Sequence, residues 1–156
     1  MRRSTPIRHI RRHRSTYTGI LLLVLGVLIF HWRGIQPDQV FLPVDLANRL
    51  LPWRDGETAA RLQNWLISDP LYQFYPFLLQ TVESLRRGQV LLWNPALFSG
   101  HPALADPLFQ TFYPFVTAFG LLLGPARGFS LSLVAHVLLA ALLMFGFLRS
   151  LCFPQP

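Results

Sequence analysis

The chain has 156 residues, 52% of them hydrophobic and only 13% charged, against roughly 25% charged in ordinary soluble domains, which points to a membrane. All fourteen basic residues are Arg, six of them within residues 1–14, and from Arg33 to Arg127 seven Arg balance the seven acids; the net charge of +7 therefore reads as a basic tip against anionic lipid, and nothing further along the chain supports nucleic acid as the partner of the Arg cluster. One cysteine, Cys152, excludes an intramolecular disulfide framework, and no Cys or His spacing has the pattern of a metal site.

In chain order, residues 1–14 form the basic tip, expected in the cytoplasm. Residues 15–32 are free of formal charge and centre on "GILLLVLGVLIF". With Tyr17 and Trp32 as interfacial aromatics they predict a first transmembrane helix. A cleaved signal peptide is the rival reading, but "HWRGIQPDQV" lacks the small residues of a cleavage site.

Residues 33–127 are the expected extracytoplasmic loop, carrying ten of the thirteen prolines. Short amphipathic or interfacial helices are predicted at about 57–67, 70–87 and 107–123. In the second, Phe74, Leu78, Val82 and Leu85 form an apolar stripe at helical spacing. Arg86 and Arg87 then suit the last turn, Glu83 is the helical partner of Arg86, and Gly88 is a stop. "LLWNPALFSGHPAL" reads as turn-rich coil. The apolar run 112–123 would reach only about 18 Å as a helix, against a hydrocarbon core of about 30 Å. It is expected to re-enter or lie at the interface and to feed the next helix through a "GPARG" turn.

Residues 128–148 lack any formal charge and predict a second transmembrane helix, closed by Arg149. His136 sits mid-span, where a neutral imidazole bonded to a neighbouring helix is the simplest reading. Ala135, Ala140 and Ala141 would let a partner membrane protein approach closely. Residues 149–156 form a cytoplasmic tail. The expected fold is thus an all-α membrane protein, two transmembrane helices joined by a long extracytoplasmic loop of short helices.

Within that loop "DPLYQFYPF", from Asp69, is echoed by "DPLFQTFYPF", from Asp106, with Thr111 inserted. Asp is a favoured N-cap and Pro a favoured first helical residue, so both copies announce helix starts. A later proline in each would kink the helix or end its first segment. Functionally, an acid at the outer membrane face can hold a divalent cation, Mg or Mn, on a phosphate or take a proton from an acceptor hydroxyl. Arg86 and Arg87 could hold a lipid phosphate, since Arg pairs with phosphate bidentately; helix capping is the alternative. His101 reads as a loop residue, with a ligand role as the alternative.

The order "SDPLYQFYPF … LRRGQVLLWNPALFSGHPALADPLFQTFYPF", between an N-terminal anchor and a Leu/Ala-rich helix, resembles the first outer loop of the YfhO-like bacterial membrane proteins. The resemblance covers residues from about 15 to 150. That family resembles the GT-C class of polytopic glycosyltransferases, which use polyprenyl-phosphate-linked sugars and carry a key acid in the first extracytoplasmic loop. By this resemblance Asp69 is the catalytic or metal-holding acid, and Asp106 takes no role beyond capping the helix that returns to the membrane. Trp93, Pro95 and Gly100 match the loop-shaping positions, and Asn94 is a substrate contact. The family's members have many more spans, so the chain is expected to be an N-terminal portion at the bacterial inner membrane. It would be too short to transfer sugar alone. The alternative is a small non-catalytic membrane protein that packs against a partner.

Overall fold

The computed structural model describes residues 6–54 and 66–151, and of residues 6–14 the backbone only. The predicted helix at 57–67 lies almost wholly outside these residues, as does the end of the tail. The described residues are mostly helical, with no β-strand among them. They form two compact units, one of residues up to 35 with those from 133 onward, the other of residues 36–132.

The first unit holds helix α1, Pro6–Phe30, a short α2, Trp32–Ile35, and most of α5, Pro125–Ser150. Helix α1 begins within the expected basic tip and runs without a break into the apolar stretch. Its apolar part, Ser15–Phe30, would reach about 24 Å at the helical rise, short of the hydrocarbon thickness. One helix among the described residues, Pro125–Ser150, is long and apolar enough to cross a membrane by length and composition. Its later side chains, among them Leu143, Met144 and Phe147, are exposed, as lipid-facing residues would be. Gly19 of α1 lies against Phe145 of α5; a Cβ there would sit 3.1 Å from the ring.

The second unit is built around α3, Tyr75–Arg86. A π-helical turn, Pro70–Phe74, leads into it. Pro76 has no N–H to return to the preceding turn, and the backbone widens just before it. The predicted helix 70–87 is therefore one path with a π entrance. Leu78 and Val82 of the expected stripe are buried, with Phe74 packed beside them. Phe77 and Thr81 are buried too, which widens the apolar face. The helix ends as the sequence suggests. Gly88 takes φ +73°, its N–H donates to Leu85 O at 2.9 Å, and Gln89 N–H donates to Ser84 O at 3.0 Å, a paired C-terminal cap.

The predicted helix 107–123 is not one helix. A 3₁₀ turn, Pro107–Phe109, ends at Gln110 in the left-handed region, and α4, Pro114–Leu123, starts anew. The Thr117 hydroxyl donates to Gln110 O at 3.1 Å and Thr111 O at 3.0 Å, tying the break to the new helix. The expected "GPARG" turn is also shorter than its letters. Gly124 alone, at φ +83°, separates α4 from α5, and Pro125 opens the next helix at the position where a missing N–H costs nothing.

Among the described residues two small clusters form the core of this unit. Phe77, Ala103 and Phe109 pack with Leu91 and Leu97. Leu78, Val82 and Phe129 pack with Leu42, Phe74, Tyr75 and Val116. The first turns of α5 are thus protein-covered, with Ser130 and Ser132 each 1% exposed. The Ser130 hydroxyl donates to Ala126 O and accepts Phe41 N–H at 2.9 Å. Gly120 of α4 and Gly128 of α5 touch through their backbones, and a Cβ on Gly128 would fall 2.6 Å from Gly120 Cα. Backbone cannot yield as a flexible side chain does, so Gly128→Ala is expected to destabilise the fold by about 1–3 kcal/mol. Gly146, with nothing within 4 Å of such an atom, should accept Ala without loss. Thermal unfolding of both variants in detergent, followed by circular dichroism, checks the contrast.

Candidate functional site

The segment between α3 and α4 folds into a closed loop. Asn94 N–H donates to His101 O at 2.8 Å, and His101 N–H donates to Asn94 O at 2.9 Å. Inside this clasp the Asn94 Oδ1 accepts Ala96 N–H at 2.9 Å, the local bond that makes Asn a turn residue. Gly100 N–H donates to Leu97 O at 2.7 Å. Phe98, Ser99 and Gly100 all have positive φ. Phe98 and Ser99 bear the cost of the left-handed region. Gly100, at φ +131°, occupies a conformation that suits glycine. It must also stay small, because a Cβ would lie 2.4 Å from Trp93 Cζ2. Trp93 thus covers Gly100, and Pro95 follows Asn94 at the turn's exposed start.

The clasp carries a pair of titratable side chains. His101 Nε2 and Asp106 Oδ2 are 2.9 Å apart. The other oxygen of Asp106, Oδ1, accepts Leu108 N–H at 2.9 Å. Asp106 therefore caps the 3₁₀ turn 107–109 and not α4, and it holds the imidazole as well. Phe109 lies beneath, its ring 6.4 Å from His101 and stacked on Phe77 at 4.0 Å. Asn94 is 2% exposed, and its Nδ2 has no hydrogen-bond partner.

Asp69 differs from its echo. It has helical φ −57° and ψ −37° and makes no capping bond. The helix instead starts from Ser68, whose carbonyl accepts Leu71 and Tyr72 N–H, each at 3.0 Å. Asp69 stands exposed in the first turn, where negative charge suits the helix dipole, and no described residue bonds its carboxylate. The π turn that follows it packs on the 3₁₀ turn that follows Asp106. The two sequence copies are therefore neighbours in space.

Other expected site residues are drawn apart. Arg86 and Arg87 stand at the opposite end of the helix from Asp69, about 25 Å away by helical rise. The Arg86 guanidinium donates to Leu121 O at 3.1 Å, capping the end of α4. Glu83 is exposed and forms no ion pair with it, contrary to the sequence expectation. His136 is half-buried on α5. No group of three or more His, Cys, Asp and Glu among the described residues could hold a metal ion. Of the expected residues Trp93, Asn94, Pro95 and Gly100 share one loop. The sequence reading missed that His101 and Asp106 join it; the available signal was a His and an Asp five residues apart across a proline-broken coil.

Comparison with protein-family models, curated proteins and solved structures finds no match for the chain.

Gly100→Ala should open the loop, since it adds both a backbone strain and a clash with Trp93. Amide hydrogen exchange at Asn94 and His101 reads this directly. Protection is expected to fall about tenfold or more, the consequence of a destabilisation of roughly 1–3 kcal/mol.

Proposed function

We propose that the chain is a bacterial inner-membrane protein of the GT-C glycosyltransferase type, with its N-terminus in the cytoplasm and residues 36–132 on the outer side. It supplies the outer-loop part of a site that moves a sugar from a polyprenyl phosphate to a cell-envelope acceptor, and further membrane helices complete that site. What carries this reading is the state of Asp69: a carboxylate at the start of a helix, exposed and bonded by no described residue, while both oxygens of its sequence twin are engaged. An exposed acid is available to a ligand. It would hold a divalent cation, Mg or Mn, on the donor phosphate, or accept the proton of the acceptor hydroxyl. With no cluster of protein ligands around it among the described residues, such a cation would take further oxygens from phosphate and water.

A second reading, a non-catalytic protein that packs on a membrane partner, is favoured by the apolar side chains exposed along α5 and by the small residues Ala135, Ala140 and Ala141 beside them. The two part at Asp69. In membranes that transfer a polyprenyl-linked sugar through this protein, Asp69→Asn is expected to lower transfer by roughly 10²–10⁴-fold, the size of a general-base contribution, with the protein still inserted. Unchanged transfer sinks the assignment. Topology is a separate check: a reporter fused near Trp93 should read outside, and one after Cys152 cytoplasmic.

A further inference from the structure

Helix α4 is turned inside out for a helix surrounded by water. Its covered side carries Thr117 and Gly120. The Thr117 hydroxyl bonds the preceding turn, and Gly120 lies against Leu78, Val82 and the backbone of Gly128. On the opposite side Ala118 and Leu122, one helical turn apart, are exposed, Leu122 at 81%. Leu121 and Leu123 beside it are exposed too. A helix on a water-covered domain buries its apolar stripe and shows its polar one. In lipid the order reverses: small residues sit where helices touch, and apolar side chains face the acyl chains.

Positive charge gathers at the end of the same helix. Arg86 is exposed, and its guanidinium reaches Leu121 O through Nη2, beside the exposed leucines. Arg87 follows it, exposed, and Arg127 is exposed in the first turn of α5. Over α3 and residues 114–132 these three Arg face one acid, Glu83, a turn back on α3. A guanidinium is a planar fork of donors that matches phosphate oxygens. The level of this cluster follows from α5. About 20 residues cross the hydrocarbon core, and counting them back from Arg149 reaches Ser130. When α5 crosses, Pro125 to Phe129 therefore emerge among the headgroups, and Gly124 alone separates them from Leu123.

We propose that the exposed side of α4, together with Arg86, Arg87 and Arg127, docks on an anionic lipid surface, with the leucines at the acyl boundary and the guanidiniums on lipid phosphates. Three charges at its end hold the helix at this level, because a charge carried to the bilayer centre is costly. The helix thus lies in the interface and does not re-enter the core. Such a face binds through buried apolar area and through charge, and each Arg near an anionic surface strengthens the attraction roughly fivefold. The inference rests on α5 crossing the membrane and is independent of glycosyl transfer.

The test uses the full chain with Cys152→Ser and Leu122→Cys, spin-labelled at 122, in vesicles of equal parts phosphatidylcholine and phosphatidylglycerol. Oxygen concentrates in lipid and a neutral nickel complex stays in water, so collision with each reads the depth of the label. The label should meet oxygen and be shielded from nickel, and nickel contact should rise in phosphatidylcholine alone. Arg87→Gln with Arg127→Gln leaves the Arg86 bond to Leu121 O in place, and should lower the ratio of docked to undocked helix tenfold or more in the anionic vesicles. Full nickel contact in those vesicles overturns the proposal. So does shielding from both probes, which means that protein, a second copy or a partner, covers the face. Equal depth in both lipids and in the double variant overturns the part played by anionic lipid. A label at Val137→Cys, on an exposed position of α5, separates the underlying reading: nickel contact at 122 with oxygen contact at 137 defeats docking alone, whereas nickel contact at 137 defeats the span on which it rests.

Discussion

The stack of Phe77 on Phe109 is the contact that organises residues 36–132. Phe77 belongs to the first "DPL…FYPF" segment and Phe109 to the second, so one aromatic pair joins stretches of chain more than thirty residues apart. Such a pair adds about 0.5–1.5 kcal/mol to the burial of its own area. Its larger effect is geometric. It brings the π turn after Asp69 onto the 3₁₀ turn after Asp106, and Ala103, fully buried beside both rings, fixes where the intervening loop must return. With that return fixed, His101 is carried over Phe109 and within reach of Asp106.

The two Asp-Pro-Leu segments show how little separates a structural acid from an available one. Both follow the same local grammar of acid, proline and apolar residue. In the first copy the chain is already helical at Asp69, Ser68 supplies the opening carbonyl, and the carboxylate has no backbone N–H to serve. In the second, Asp106 is extended at ψ 115°, the conformation an N-cap needs to reach a following N–H. Thr111 lengthens the second copy, and the backbone uses the slack to turn through Gln110 and begin α4 separately. Asp106 is thus bound on both oxygens, whereas no described residue bonds the Asp69 carboxylate.

Much of the helical content was legible in the letters. The stripe through Phe74, Leu78 and Val82, the Gly88 stop, and the apolar run that becomes α5 are local patterns, and local patterns survive into the fold. What was not legible depends on contacts between distant segments. The merging of the basic tip with α1 follows from helix continuity that a change of composition conceals. The break at Gln110 and the reduction of "GPARG" to a single glycine depend on how α4 meets α5 at Gly120 and Gly128. Arg86 looked like a cap for its own helix because sequence shows its neighbours along the chain. It caps α4 instead, since tertiary packing places Leu121 O within its reach. The candidate site was half legible for the same reason. Trp93, Asn94, Pro95 and Gly100 are adjacent in sequence, whereas the His101–Asp106 bond needs the Phe109 turn beneath it.

The loop between α3 and α4 keeps an unmet donor, Asn94 Nδ2, inside it. Asn94 could be replaced locally by another turn residue that accepts the Ala96 N–H, but Asp would bury a charged second oxygen in its place. An amide brings the acceptor the turn needs and a donor the turn does not. The clasp between residues 94 and 101, the left-handed run that ends at Gly100 and the cover of Trp93 hold that donor inside the loop, where leaving it unmet costs about 1–3 kcal/mol; the loop keeps the amide because its oxygen makes the turn bond to Ala96 N–H.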